Sequence, residues 1–229
     1  MIKENEVIDE LNINDLKILQ ADDDFKYGTD AVVLSKYANI SKKAKVLDLC
    51  TGSGIIPILL TYFSEASHIT GLEYFEHIAD RASRSVKLNE LEPFVNIMCG
   101  DLKNITELLK RESFDHVTVN PPYKQPDSGA KNKSSVVSAA RHEILCNLDD
   151  VVCAADYALK YGGKLTMVHR ADRTADVIST FRKYKIEPKR MALVIHNISL
   201  PPKLILVEGK KGAKSGLVFE PPVVIENGR

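Results

Sequence analysis

A short β-type run, residues 45–49, passes through Cys50-Thr51-Gly52-Ser53-Gly54 directly into the helix-like Ile55-Ile56-Pro57-Ile58-Leu59-Leu60. A strand, a glycine turn and a helix start form the opening of a βαβ unit, which commits the chain to strands joined by helical crossovers. Glycines let the backbone come close to a ligand, and the helix start presents unpaired N–H groups. Pro57 is tolerated in that first turn, where its missing N–H has no intrahelical partner. A G-x-G-x-x-G dinucleotide site would place Gly or Ala at 57. Proline stands there instead, so pyrophosphate is disfavoured and a smaller nucleoside ligand with an amino-acid tail is favoured. Asp48, one residue before the strand ends, is expected to face the ammonium of that ligand.

The rest of the chain keeps the alternation. Residues 29–37 read as a helix with Thr29 or Asp30 as its cap, and strands then alternate with helices through Val46, Ile69, Ile97 and Val117. Residues 148–161 read as a helix stopped by Gly162-Gly163, followed by a strand over 164–169 and a helix over 175–185. Two last strands, 191–198 and 204–208, flank the Pro201-Pro202 turn. This order predicts an α/β fold, a doubly wound sheet with a C-terminal hairpin, in one domain over 229 residues. No apolar run of about eighteen residues occurs, so no membrane span is expected. The polar, acidic start has no apolar leader segment, and Cys50, Cys99, Cys146 and Cys153 show no C-x-x-C spacing. Both features predict a cytoplasmic chain with reduced core or near-core thiols and no metal.

Acidic residues close successive strands. Residues 68–72 end in Glu73, close to the spacing at which a carboxylate takes ribose hydroxyls, and Tyr74 follows as a surface for adenine or ribose. The run 95–99 ends in Gly100-Asp101, where the aspartate is placed to accept from an adenine amine. One such residue alone is commonly a cap or a solvated turn. Three at successive strand ends point to a ligand. The strand 114–119 ends in Asn120-Pro121-Pro122-Tyr123. A residue before proline avoids the helical region, and two prolines offer carbonyls without donors, so the tetrapeptide is a rigid shelf of acceptors beside an aromatic face. Such a shelf suits a planar NH2 on a flat ring or amide.

With these motifs the chain resembles the class I S-adenosylmethionine-dependent methyltransferases, and more narrowly the bacterial tRNA(Val) adenine-N6 methyltransferase family. The resemblance rests on Phe25-Lys26-Tyr27-Gly28-Thr29-Asp30, the segment from Asp48 to Gly54, Glu73, Gly100-Asp101, Asn120 to Tyr123 and Ala140-Arg141-His142-Glu143. It implies a mostly parallel seven-stranded sheet, with residues 1–40 capping the cofactor, 41–170 forming the cofactor-binding core and 171–229 supplying a helix and the hairpin. It implies S-adenosylmethionine held by Lys26, Gly28, Thr29, Asp30, Asp48, Thr51, Gly52, Gly54, Glu73, Tyr74, Asp101 and Asn120. Asn120, Pro121, Pro122 and Tyr123 would carry the transfer to the N6 amine of a tRNA anticodon-loop adenine.

Formal net charge is zero, so nucleic-acid contact must come from local patches. Lys124, Lys131, Lys133, Arg141 and His142 surround the shelf and are the expected RNA contacts, with Tyr123 stacking on the base. Two further groups, Arg182, Lys183, Lys185, Lys189 and Arg190, and Lys203, Lys210, Lys211 and Lys214, read first as solvated faces. Glutamine-N5 methyltransferases of proteins share the shelf but carry a separate helical domain before the glycine turn. DNA adenine methyltransferases generally add a target-recognition region, and a non-catalytic cofactor-binding scaffold has no support in the sequence, since Asp48, Glu73, Asn120 and Tyr123 are all present.

Overall fold

The computed structural model describes residues 2–21, 28–122 and 146–225. In chain order its elements are β1 (Glu6–Glu10), β2 (Lys17–Ala21), α1 (Thr29–Tyr37), β3 (Lys45–Leu49), α2 (Ile55–Phe63), β4 (His68–Glu73), α3 (Glu76–Leu88), β5 (Val95–Cys99), α4 (Ile105–Leu108), β6 (Phe114–Val119), α5 (Leu148–Ala158), β7 (Leu159–Arg170), α6 (Thr174–Lys183), β8 (Ile186–Ile195), β9 (Leu204–Lys211), β10 (Val218–Phe219) and β11 (Val223–Val224). Among the described residues nine strands form one sheet in the order β10-β8-β9-β7-β6-β3-β4-β5, with β11 also on β8. The run from β7 to β5 is parallel, and β9 lies antiparallel between β7 and β8. Seven of these strands are the expected sheet and hairpin. The two added are the two-residue β10 and β11, which lie parallel on the outer edge of β8.

The alternation along β3 divides the core. Leu47 and Leu49 are fully buried in one apolar cluster with Val151, Val152, Ala155 and Phe181 of α5 and α6. Val46 faces the other way, into a cluster with Leu34 of α1 and Ile58 and Leu59 of α2. Helices therefore cover both faces of the sheet, and strands buried on both sides read as nearly continuous apolar runs. The hairpin β1–β2 extends the second layer by lying along α3. Leu19 N donates to Ser85 Oγ at 3.0 Å, and Lys17 N and O pair with the Asn89 amide at 2.8 and 2.7 Å.

Some boundaries differ from expectation for physical reasons. The helix expected to run to residue 161 ends at Ala158, and β7 begins at Leu159. Buried Lys211 receives the helix end: its Nζ donates to the carbonyls of Asp156 and Leu159 at 2.7 and 3.0 Å. Gly162-Gly163 do not stop a helix but form a bulge inside β7, where the pairing with β6 slips between Phe114 and His116 and Gly162 takes φ 79°. Strand β8 begins at Ile186, five residues before expectation. Pro188 hid that half, and the pairing with β9 slips between Pro188 and Arg190. At α1 the cap position belongs to Gly28, and Asp30 Oδ1 accepts from Ala31 N at 2.9 Å. Of the cysteines expected in or near the core, Cys99 and Cys153 are exposed and Cys50 and Cys146 are partly buried.

Candidate active site

The glycine turn joins the carboxyl end of β3 to α2 along a tightly specified path. Cys50, Gly52 and Gly54 take φ of 56°, 55° and 82°, and Thr51 N reaches back to Leu72 O at 3.0 Å. A Cβ on Gly54 would stand 3.2 Å from Ala82 Cβ of α3, so that glycine serves close packing of helix on turn. A Cβ on Gly52 would meet nothing within 4 Å, which leaves its backbone face open to a ligand.

Asp48 lies beneath this turn rather than at its surface. It is fully buried, and its two oxygens accept from Thr51 Oγ1 at 2.6 Å and Thr118 Oγ1 at 2.7 Å. Burial pushes its carboxyl up to about 7; the two hydroxyl bonds pull the other way. Asp48 thus braces β3 against β6 and holds Thr51 in the turn. Thr118 had no signal in the sequence, because a threonine inside a strand reads as an ordinary β-branched residue.

Glu73 closes β4 and is itself buried. Its Oε2 accepts from Gly52 N at 2.9 Å and its Oε1 from Phe75 N at 3.0 Å. A carboxylate oxygen has two acceptor sites, so each retains one for hydroxyl donors. Tyr74 stands 45 % exposed, its ring edge-on to Phe75 at 5.0 Å. Asp101 follows β5, and its Oδ1 caps the short turn after it by accepting from Lys103 N at 2.9 Å. These residues line one small pocket together with Cys50, Leu72, Gly100, Leu102, Pro122 and Cys146. Contact with Cys146, reinforced by burial, pushes the Cys50 thiol well above its usual value.

The shelf sits beside that pocket. Register places Leu49 level with Leu72 on one side and Val119 on the other, so the turn, Glu73 and Asn120 share one edge of the sheet. Pro121 is buried and Pro122 reaches the pocket. Asn120 Nδ2 donates to Asp30 Oδ2 at 3.0 Å, which brings the first turn of α1 to the shelf. The structure thus brings together Gly28, Thr29, Asp30, Asp48, Thr51, Gly52, Gly54, Glu73, Tyr74, Asp101, Asn120, Pro121 and Pro122 at one sheet edge. Lys26, Tyr123, Lys124, Lys131, Lys133, Arg141 and His142 lie outside the described residues. A larger cavity of about 530 Å³ opens at the opposite edge, between Lys17, Tyr62, Asn89 and Phe94, away from the carboxyl ends of β3, β4, β5 and β6.

Two residues of the outer basic groups are structural. Lys211 is buried and ion-paired with Asp156 at 3.1 Å and Glu112 at 3.3 Å. Arg190 lies 4.6 Å over the Tyr37 ring and bridges Glu208 and Glu220 at 3.1 and 2.6 Å. Among the described residues no group of three or more His, Cys, Asp and Glu could hold a metal, and no helix is long and apolar enough to cross a membrane.

Comparison with known proteins is consistent with this geometry. The family model described as Methyltransferase small domain matches residues 14–192. A tRNA1(Val) (adenine(37)-N6)-methyltransferase of Bacteroides fragilis is 25% identical over 187 residues, which cover 80% of this chain and 76% of that protein. A protein of the same name from Proteus mirabilis is 31% identical over 111 residues, 48% of this chain and 44% of its own. Among solved structures, a predicted O-methyltransferase from Agrobacterium tumefaciens superposes with a TM-score of 0.68 at 21% identity, covering 87% of this chain and 89% of that one. M. jannaschii TYW2 in complex with AdoMet superposes with a TM-score of 0.60 at 15% identity, covering 92% and 87%. These two likenesses establish the fold: a Rossmann-like α/β sheet with flanking helices.

Proposed function

Since this chain belongs to the Methyltransferase small domain family and uses S-adenosylmethionine, we propose that it methylates the exocyclic N6 amine of an adenine in RNA, namely the anticodon-loop adenine beside the anticodon of tRNA(Val). The carrying observation is that the Asn120-Pro121-Pro122 shelf borders the pocket lined by Glu73, Tyr74 and Asp101. The names of the relatives from Bacteroides fragilis and Proteus mirabilis support the RNA and the adenine.

Bound S-adenosylmethionine supplies a methyl group on a cationic sulfur. In this reading Glu73 takes the ribose hydroxyls, Tyr74 and Asp101 take the adenine, and the turn from Thr51 to Gly54 lies against the amino-acid part. Lys26, Gly28, Thr29 and Asp30 close the site, and Asp48 acts through Thr51. The free oxygen of Asn120 and the Pro121 carbonyl hold the hydrogens of the target amine. An adenine amine is a poor nucleophile, because its lone pair is delocalised into the ring. Positive charge grows on those hydrogens as the nitrogen attacks, so acceptors fixed beforehand favour the transition state over bound substrate. Positioning of this kind supplies on the order of 7–11 kcal/mol of a barrier, and the proton leaves to water afterwards. Tyr123 stacks on the unpaired base, and Lys124, Lys131, Lys133, Arg141 and His142 meet the RNA around it. The chain then works as one unit: residues 1–40 cap the cofactor, 41–170 form its core and 171–229 add the helix and hairpin.

The test is transfer of tritiated methyl from S-adenosylmethionine to unmodified total tRNA, duplex DNA and a release-factor protein in parallel. Label recovered from tRNA as N6-methyladenosine is expected, and label in protein or DNA alone would overturn the proposal. Asn120→Ala should lower kcat about 10²–10³-fold while retaining cofactor affinity. Glu73→Ala should instead weaken cofactor binding about 10–100-fold, the worth of a charge-assisted hydrogen bond. Equal loss of binding in both variants would contradict this division of roles.

A further inference from the structure

The amide of Asn120 has two unlike ends, and only its oxygen can receive an amine hydrogen. Asp30 decides which end faces the substrate. A carboxylate accepts and does not donate, so the contact at 3.0 Å between Asp30 Oδ2 and the Asn120 side chain must be made by the NH2 end. Turning the amide over would set oxygen against oxygen. The Asp30 carboxylate is in turn fixed, because its Oδ1 accepts from Ala31 N at 2.9 Å in the first turn of α1, the end of a helix that favours an anion. Gly28 leaves room for this arrangement: a Cβ there would stand 2.7 Å from Asp30 Oδ1 and displace the carboxylate. Asp30 therefore touches the shelf, ninety residues away in the chain, through one defined bond.

We infer that Asp30 is the positioning residue that holds Asn120 with its oxygen toward the target amine, and that Gly28 serves to seat Asp30. This rests on the reading of Asn120 as acceptor of that amine. It deepens that reading in one respect. A fixed acceptor selects groups that donate N–H, and it sets oxygen against oxygen for a base carrying a keto group at the same position, so Asp30 contributes to choosing amino over keto purines.

The inference is tested on the full chain with wild type, Asp30→Ala, Asp30→Asn and Gly28→Ala, each crossed with Asn120→Ala. Turnover is measured on unmodified total tRNA and cofactor affinity by calorimetry with S-adenosylhomocysteine. Asp30→Ala should lower kcat about 10–100-fold, less than loss of the acceptor itself, with KM for tRNA within about twofold of wild type and any loss of affinity for S-adenosylhomocysteine well below the loss in kcat. Gly28→Ala should lower kcat by less, because the Asp30 side-chain end can shift, although every charge is kept. Asp30→Asn, whose amide accepts from Asn120 in only one of its two orientations, should fall between Asp30→Ala and wild type. In the Asn120→Ala background each of these changes should have almost no further effect on kcat, because residues that act as a unit are not additive. A parallel loss of S-adenosylhomocysteine affinity, or a full effect of Asp30→Ala in the Asn120→Ala background, would overturn the inference. Unchanged turnover in Asp30→Ala, with wild type making N6-methyladenosine, would sink it while leaving the proposed reaction intact. A wild-type product methylated at no amino nitrogen would remove both.

Discussion

Asp48 shows how a residue can serve a site without facing it. Its carboxyl stands at about 7, raised by burial from 3.8. The folded chain therefore keeps this proton over an interval in which the unfolded chain has lost it. Its contribution to stability is complete below about pH 3.8 and is lost as pH rises to 7. Asp48→Asn removes that dependence. Relative to wild type the variant should gain stability steadily between pH 4 and 7, by on the order of 2–4 kcal/mol in all, measured by urea unfolding at pH 4.5 and 7.5. An equal difference at both values would exclude a neutral, buried carboxyl. At this scale the sequence exposed chemistry better than geometry. The places of Glu73 and Asn120 at strand ends were legible because each stands at the close of an apolar run. The Asp48–Thr118 and Asp30–Asn120 bonds were not, since seventy and ninety residues separate their partners and no spacing rule reaches so far.

Among the elements, the hairpin β1–β2 is tied to α3 through one acidic side chain as well as through its backbone. Glu6 accepts from Arg84 and Arg81 of α3, with its own side chain only 4% exposed. The hydrogen bonds from Arg84 hold its carboxyl at about 2, below the usual 4.5, although burial opposes them. Its stabilisation is therefore complete above about pH 4.5 and is lost as pH falls toward 2. Glu6→Gln should cost about 1.5–3 kcal/mol near neutrality and remove the share of the pH dependence in that window that Glu6 contributes. Hydrogen exchange should show the loss first in the β1–β2 amides; protection unchanged there would mean that the hairpin holds by its apolar face alone. The helices and the parallel strands were read correctly in kind, because apolar periodicity reports burial directly. The errors fell where a glycine or proline had two meanings. Gly162-Gly163 looked like a helix stop but make a bulge, and the carbonyls that end α5 are taken by Lys211 from β9, a partner that local sequence does not reveal.

Across the whole molecule, the crossover order puts every strand end that carries chemistry at one edge of the sheet, while the two apolar layers lie to either side. The doubly wound plan with its antiparallel hairpin was visible in the alternation of elements. The placement of β10 and β11 was not, because two-residue strands have no periodicity to read. Their position has a consequence for how the protein behaves in concentrated solution. Strand β8 is ten residues long and would otherwise present an open row of donors and acceptors. The segment 218–225 covers it, with Glu220 N and Ile225 N donating to Met191 O and Ile195 O at 2.8 Å. Pro221 and Pro222 lie between these pairs and have no N–H to offer a further strand. A chain cut after Leu217 should retain the cofactor edge yet scatter light and sediment as growing oligomers with rising concentration, whereas the intact chain does so far less. Segment 218–225 would then act as a stopper that keeps copies of the enzyme from adding strand to strand.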